Sequence, residues 1–171
     1  MSRRFTRKGK TLIVSLSAPE RELLSGWVPD QLRTVYESED SENEAKRRLF
    51  PVAYLDPTEE EAEGEWQELV HPELRRTRLD ALTRLTAALD AAEPGRRGAF
   101  LVELASDDVA ALLGVLNDAR LALGTVLEVS EDTDLADLDA GDAATQGHMI
   151  YVWLTHLEGE LVDTLLDDMP E

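Results

Sequence analysis

Between Ser106 and Leu127 the chain leaves almost no polar stripe: Val109, Leu112, Leu113, Leu116, Leu121, Leu123, Val126 and Leu127 cover nearly the whole circumference of a helix. A helix that is apolar all round must be enclosed by other elements, so this segment predicts the buried centre of the fold. Ser106 reads as its cap, with Asp107 and Asp108 placing negative charge at the positive end of the dipole. The last segment, about Ala143 to Asp167, carries Ile150, Trp153, Leu154, Leu157, Leu161, Leu165 and Leu166 on one broad side and is expected to pack on that centre.

The remaining elements follow from local signals. Arg4 to Lys8 and Thr11 to Leu16 read as two strands joined at Lys8-Gly9-Lys10, where glycine takes the positive φ of a tight hairpin. Ser17 with Glu20 matches a capping box, and Leu23, Leu24, Trp27, Val28, Leu32 and Val35 follow at helical spacing. Pro29 inside that stripe predicts a kink or break near Ser25-Gly26. From Glu37 to Glu44 five of eight residues are acids, which reads as a mobile connection over 37–45. Leu49 to Leu55 reads as an apolar docking segment, and Asp56-Pro57-Thr58 with three glutamates as a helix start capped by Thr58. Trp66, Leu69 and Val70 are assigned to that helix's buried face. Pro72 is expected to end it and open a new helix, Pro72 to Ala92, which Glu93-Pro94-Gly95 stops. Ala99 to Leu104 is a third strand able to pair with the hairpin, and 128–142, with seven acids and no base, is a second acidic loop. The sum is a single domain over 1–171, a basic hairpin at 3–16 and a helical body at 17–171. The fold class is α+β, mostly α, with four or five helices around a small antiparallel sheet.

Charge narrows the function classes. Seventeen Lys and Arg against 36 Asp and Glu leave a formal −19, and with five bases in the first ten residues the rest carries 12 against 36, or −24. Such a surface repels phosphate backbones and anionic lipid, so weak or no direct DNA binding and no membrane partner are expected. There are no cysteines, which excludes disulfides, thiolate metal sites and cysteine nucleophiles. Uninterrupted apolar runs fall short of a membrane span and no signal-peptide pattern follows Met1, so the expectation is a soluble cytoplasmic protein.

Motifs for chemistry are sparse. Neither GxGxxG nor GxxxxGK[ST] occurs; Gly95-Arg96-Arg97-Gly98 spells the GxxG of a single-strand clamp, but between a helix end and a strand it reads as a stop and turn. The Asp132 to Asp142 loop lacks the glycine and glutamate spacing of a calcium loop. His71, His148 and His156 lack zinc-ligand spacing, and His71 reads as a junction residue. Glu158 and Glu160, two apart on a helix, point to different sides. No catalytic residue, metal or cofactor is assigned, and an enzyme is not expected. Arg120, inside the most apolar helix, must reach a carboxylate or the surface. With the basic residues Arg3, Arg4, Arg7, Lys8 and Lys10 of the hairpin, it completes the set of candidate partner contacts.

Two stretches carry a resemblance: Leu116-Asn117-Asp118-Ala119-Arg120-Leu121-Ala122-Leu123-Gly124-Thr125, and Trp153-Leu154-Thr155-His156-Leu157-Glu158-Gly159-Glu160-Leu161-Val162. With the basic hairpin and Leu49-Phe50-Pro51-Val52-Ala53-Tyr54 in order before them, the chain resembles the actinomycete domain-of-unknown-function family now often named AosR-like oxidative-stress transcriptional regulators. The resemblance implies a small non-enzymatic regulator acting on transcription through a sigma factor or RNA polymerase. The redox sensing attributed to such regulators rests on a cysteine pair; without one, no thiol switch operates here. The alternative is a protein-binding adaptor or scaffold with no transcriptional role, a homodimer through the last helix being one form of it.

Overall fold

The computed structural model describes residues 3–131 and 143–167. Strands β1 (Phe5–Lys8) and β2 (Thr11–Leu16) form the hairpin, with Gly9 at φ +62°. Helix α1 (Ala18–Glu22) starts at the capping box: the Ser17 hydroxyl accepts from the Glu20 amide, and the Glu20 carboxylate accepts from the Ser17 amide at 2.8 Å. Pro29 does not interrupt the helix. A π-helical turn over Leu23–Trp27, closed by the Val28 amide on the Leu23 carbonyl, leads directly into α2 (Val28–Glu37). The widened turn accommodates the missing proline donor and the crowding of its ring against the preceding turn.

The acidic connection is shorter than its composition suggests. Asn43 caps α3 (Glu44–Leu49), and only 38–43 lie between helices, tied down by Arg47 donating to the Ser41 carbonyl and pairing with Glu42. Of the expected docking segment, only Leu49 and Phe50 are buried; Val52, Tyr54 and Leu55 face solvent. Asp56, rather than Thr58, caps the 3-10 turn Pro57–Glu59 that opens α4 (Glu60–Asp90). Helix α4 runs unbroken through Pro72, contrary to the reading of two helices. Pro72 and Glu68 both lie on the exposed side, so the Glu68 carbonyl that loses its amide partner is open to water. Leu69 is also exposed, leaving Trp66 and Val70 as the partly covered side of that half.

Strand β3 (Glu93–Pro94), read from sequence as part of a stop, pairs with β4 (Phe100–Leu104), and the antiparallel sheet has the order β1-β2-β4-β3. Ala105, rather than Ser106, is the cap of α5 (Ser106–Val126); it offers no side-chain acceptor, and Asp108 reaches back to its amide at 3.0 Å. Helix α5 packs on α2, α3, α4, on α6 (Ala143–Leu166) and on β2 and β4, which makes it the centre of the fold. By length and apolarity alone α5 would reach across a bilayer, which uninterrupted runs did not suggest. Counting α1 and α2 as one, five helices and a four-stranded sheet make up the described residues, an α+β domain that is mostly α.

The core joins Leu12, Val14, Leu16, Val102 and Leu104 from one face of the sheet to leucines of α4, α5 and α6. Inside it lies a polar group that periodicity did not single out. Asp118, 6% exposed, accepts from the Tyr36 hydroxyl at 2.6 Å and pairs with Arg78, which also donates to the Leu49 carbonyl at 3.0 Å. Lys46 donates to the Tyr36 carbonyl at 2.6 Å, and Phe50 stands edge-on to both Tyr36 and His71. His71 is therefore no junction residue: it sits mid-helix between Phe50 and Trp66. Burial, then the Asp118 charge, push the Tyr36 phenol far above its ordinary value, so it stays a donor. The acidic loop at 132–142 lies outside the described residues, and among those described no three His, Asp or Glu side chains converge as a metal site.

Candidate protein-binding face

An antiparallel sheet buries one face and can leave the other to water. Here Phe5, Leu12, Val14, Leu16, Val102 and Leu104 turn inward, and alternation puts Thr6, Ile13, Ser15, Leu101 and Glu103 outward. Cross-strand register places Thr6 beside Ile13 and Ser15 beside Leu101, so the outer face has an apolar centre, Ile13 and Leu101, with hydroxyls around it. Leu101 is 38% exposed.

Arginines from two distant parts of the chain frame this centre. Arg3 and Arg4 enter with β1, while Arg96 and Arg97 come from the 3-10 turn between β3 and β4. Together they line an open trough of about 620 Å³ that has no acid in its wall. The turn is tightly made. A Cβ on Gly95 would come within 3.0 Å of the Leu101 side chain, and Gly98 lies at φ +76°. Between them Arg97 holds φ 56° and ψ 33°, a left-handed conformation uncommon for a residue with a side chain. Asparagine or glycine would sit there more cheaply, so the arginine carries a conformational cost at this position.

The trough's charges differ in availability. Arg4 is committed: its Nη1 pairs with Glu20 at 2.7 Å and its Nε with Glu160 at 3.1 Å, and Trp153 adds a hydrogen bond to Glu20 at 2.9 Å. Burial acts to raise the Glu20 carboxyl, and is outweighed by the Ser17 amide, Arg4, Trp153 and the Ser17 hydroxyl, which hold it at about 2. Arg4 thus clasps the hairpin to α1 and α6. Arg3, Arg96 and Arg97 are exposed and carry no ion pair among the described residues. On the same sheet face stand Glu103, held by Thr11 at 3.2 Å, and Glu93 opposite Leu101 on β3, and on its other side Arg3 shares a hollow with Glu160 and Asp163 of α6 and with Asp167.

The six residues singled out from sequence therefore separate. Arg3 and Arg4 reach the trough; Lys8 and Lys10 flank Gly9 at the hairpin end; Arg7 alternates with Thr6 and Lys8 onto the other face of β1. Arg120 lies elsewhere, its Nε 2.9 Å from Glu158 on α6. Glu158 and Glu160 do point apart, one to Arg120 and the other to Arg4. Arg96 and Arg97 were absent from the candidate set. Their signal was the Gly-Arg-Arg-Gly turn itself, and only the pairing of β4 with β2 carries it beside Arg3.

A family profile described as a domain of unknown function, DUF2017, matches residues 2–165, nearly the whole chain. The chain belongs to the DUF2017 family. No curated protein and no solved structure matches it. Among the described residues, this DUF2017 domain offers an exposed sheet face with three guanidiniums that form no ion pair, around two apolar side chains.

Proposed function

We propose that this DUF2017 domain is a non-enzymatic cytoplasmic regulator that works by protein–protein contact, docking an acidic segment of its partner in the arginine trough. The resemblance to AosR-like oxidative-stress regulators makes that partner a sigma factor or RNA polymerase. The observation that carries this reading is the convergence of Arg3, Arg96 and Arg97, without an ion pair among the described residues, on one open face of a protein whose net charge is −19. Attraction is then local, while the body repels nucleic acid as a whole. Among the described residues that line the trough none is aromatic, so it offers no ring on which unpaired bases would stack.

The test is capture of purified RNA polymerase holoenzyme by the wild-type chain and by a variant carrying R3E, R96E and R97E. Wild type retains sigma or polymerase subunits and the variant loses them, while neither shifts promoter duplex at moderate salt. Equal capture by both, or tight sequence-specific DNA binding by the protein alone, refutes the proposal. An adaptor without a transcriptional role would use the same face and would retain other proteins from native lysate in place of polymerase.

A further inference from the structure

The trough has a complement within the same chain. Pro51 to Pro57 form an exposed loop in which Val52, Tyr54 and Leu55 stand 51%, 40% and 84% exposed. The loop is held in place: one Glu63 carboxylate oxygen accepts both the Ala53 amide at 2.9 Å and the Tyr54 amide at 2.7 Å, and Asp56 accepts the Thr58 amide at 2.9 Å. Apolar side chains presented to water on a pinned backbone mark a contact surface, and pinning lowers the entropy lost on binding. Immediately after Leu55 come Asp56, Glu59, Glu60, Glu61, Glu63 and Glu65 with no base among them. An apolar anchor followed by a run of acid is the chemistry that Ile13, Leu101 and the three free arginines call for.

We propose that this loop and helix start, residues 52–61, dock in the trough of a second copy of the chain, so that the protein self-associates through the face that takes its partner. Leu55 sits on the Ile13–Leu101 centre, and Glu59, Glu60 and Glu61 meet Arg3, Arg96 and Arg97. The proposal rests on the trough being a site for acidic polypeptide. Each copy offers one trough and one loop, so association closes as a two-fold pair or runs head to tail. Either arrangement occludes the trough, and a partner must compete for it.

Sedimentation of the full chain tests this. At about 50 mM salt the wild type associates with rising concentration, and about 500 mM salt returns it to monomer, because exposed charge pairs are screened. R96E/R97E sets an acidic trough against an acidic loop, and E59K/E60K/E61K a basic loop against a basic trough. Each variant alone associates at least about tenfold more weakly than wild type. Mixed in equal amounts they re-associate, since each then meets a complementary surface. L55S, which leaves the charges alone, also weakens association, and circular dichroism confirms that every variant is folded. A wild type that stays monomeric at low salt overturns the proposal, as does a variant that associates like wild type or a mixture that stays monomeric. Those results leave polymerase capture by the trough standing; conversely, capture that survives R3E/R96E/R97E removes the partner reading while the self-association result is judged on the mixture.

Discussion

Arg97 sets local stability against binding in one residue. A left-handed backbone costs an ordinary side chain about 1–2 kcal/mol, and asparagine tolerates it better. Replacing Arg97 by Asn is expected to leave stability unchanged or raise it by up to about 1 kcal/mol in urea unfolding, and to weaken capture of an acidic partner. A loss of stability with unchanged capture would make the arginine structural. Glu20 gives the opposite pattern. Its folded carboxyl is held at about 2 against an ordinary 4.5, so its contribution is present above pH 4.5 and is lost as pH falls toward 2. Glu20→Gln should cost about 1–2 kcal/mol at pH 7, with the gap from wild type closing as the pH is lowered through that window. In the core, Asp118→Ala strands the Arg78 guanidinium and the Tyr36 hydroxyl, and a loss of about 3–5 kcal/mol in denaturant unfolding is expected. The signal for Asp118 was thin: a lone acid between Asn117 and Ala119 reads as exposed until Tyr36 and Arg78 are seen to meet it.

At the level of elements, two prolines were read by one rule and behave differently. Pro29 produces a local adjustment, a π turn, near the expected place. Pro72 does not end α4, because the helix turns that residue and Glu68 to water. Its cost remains, so Pro72→Ala is expected to stabilise the chain by about 1–3 kcal/mol, raising the melting temperature several degrees with unchanged helical signal. If the break were real, the same change would extend the helical content instead. The Ser17–Glu20 box, the hairpin glycine and the strand at Phe100–Leu104 were legible because each depends on residues within a few positions. The caps at the starts of α4 and α5 were displaced by one or two residues: Asp56 accepts the Thr58 amide in place of a Thr58 cap, and at α5 the capping position falls on Ala105, whose amide Asp108 takes from within the first turn. Gly124 belongs to the same level: a Cβ there would come within 3.0 Å of the Tyr151 ring, so the closeness of α5 to α6 depends on its absence.

For the molecule as a whole, charge is distributed unevenly in a way that composition only half conveys. The body is strongly acidic, while Arg3 and Arg4 of the hairpin and the Gly-Arg-Arg-Gly turn converge on one sheet face. Partner capture through that face should therefore weaken steeply as salt rises from about 50 to 500 mM, in a titration of the R3E/R96E/R97E variant beside wild type. A salt-independent affinity would place the contact on apolar surface elsewhere.

What the sequence determined by itself is the class of fold and the central position of Ser106–Val126, because an all-round apolar helix flanked by amphipathic ones is enclosed by them and periodicity is a local property. The net charge and the lack of cysteine were likewise settled without coordinates. That the third strand can pair with the hairpin was legible; tertiary structure alone decided that β2 takes it, that Arg97 lines the same trough as Arg3, and that Arg4 is consumed by Glu20 and Glu160. The physical reason is distance along the chain: more than ninety residues separate the two arginine pairs, and no spacing rule links side chains that only strand pairing brings together.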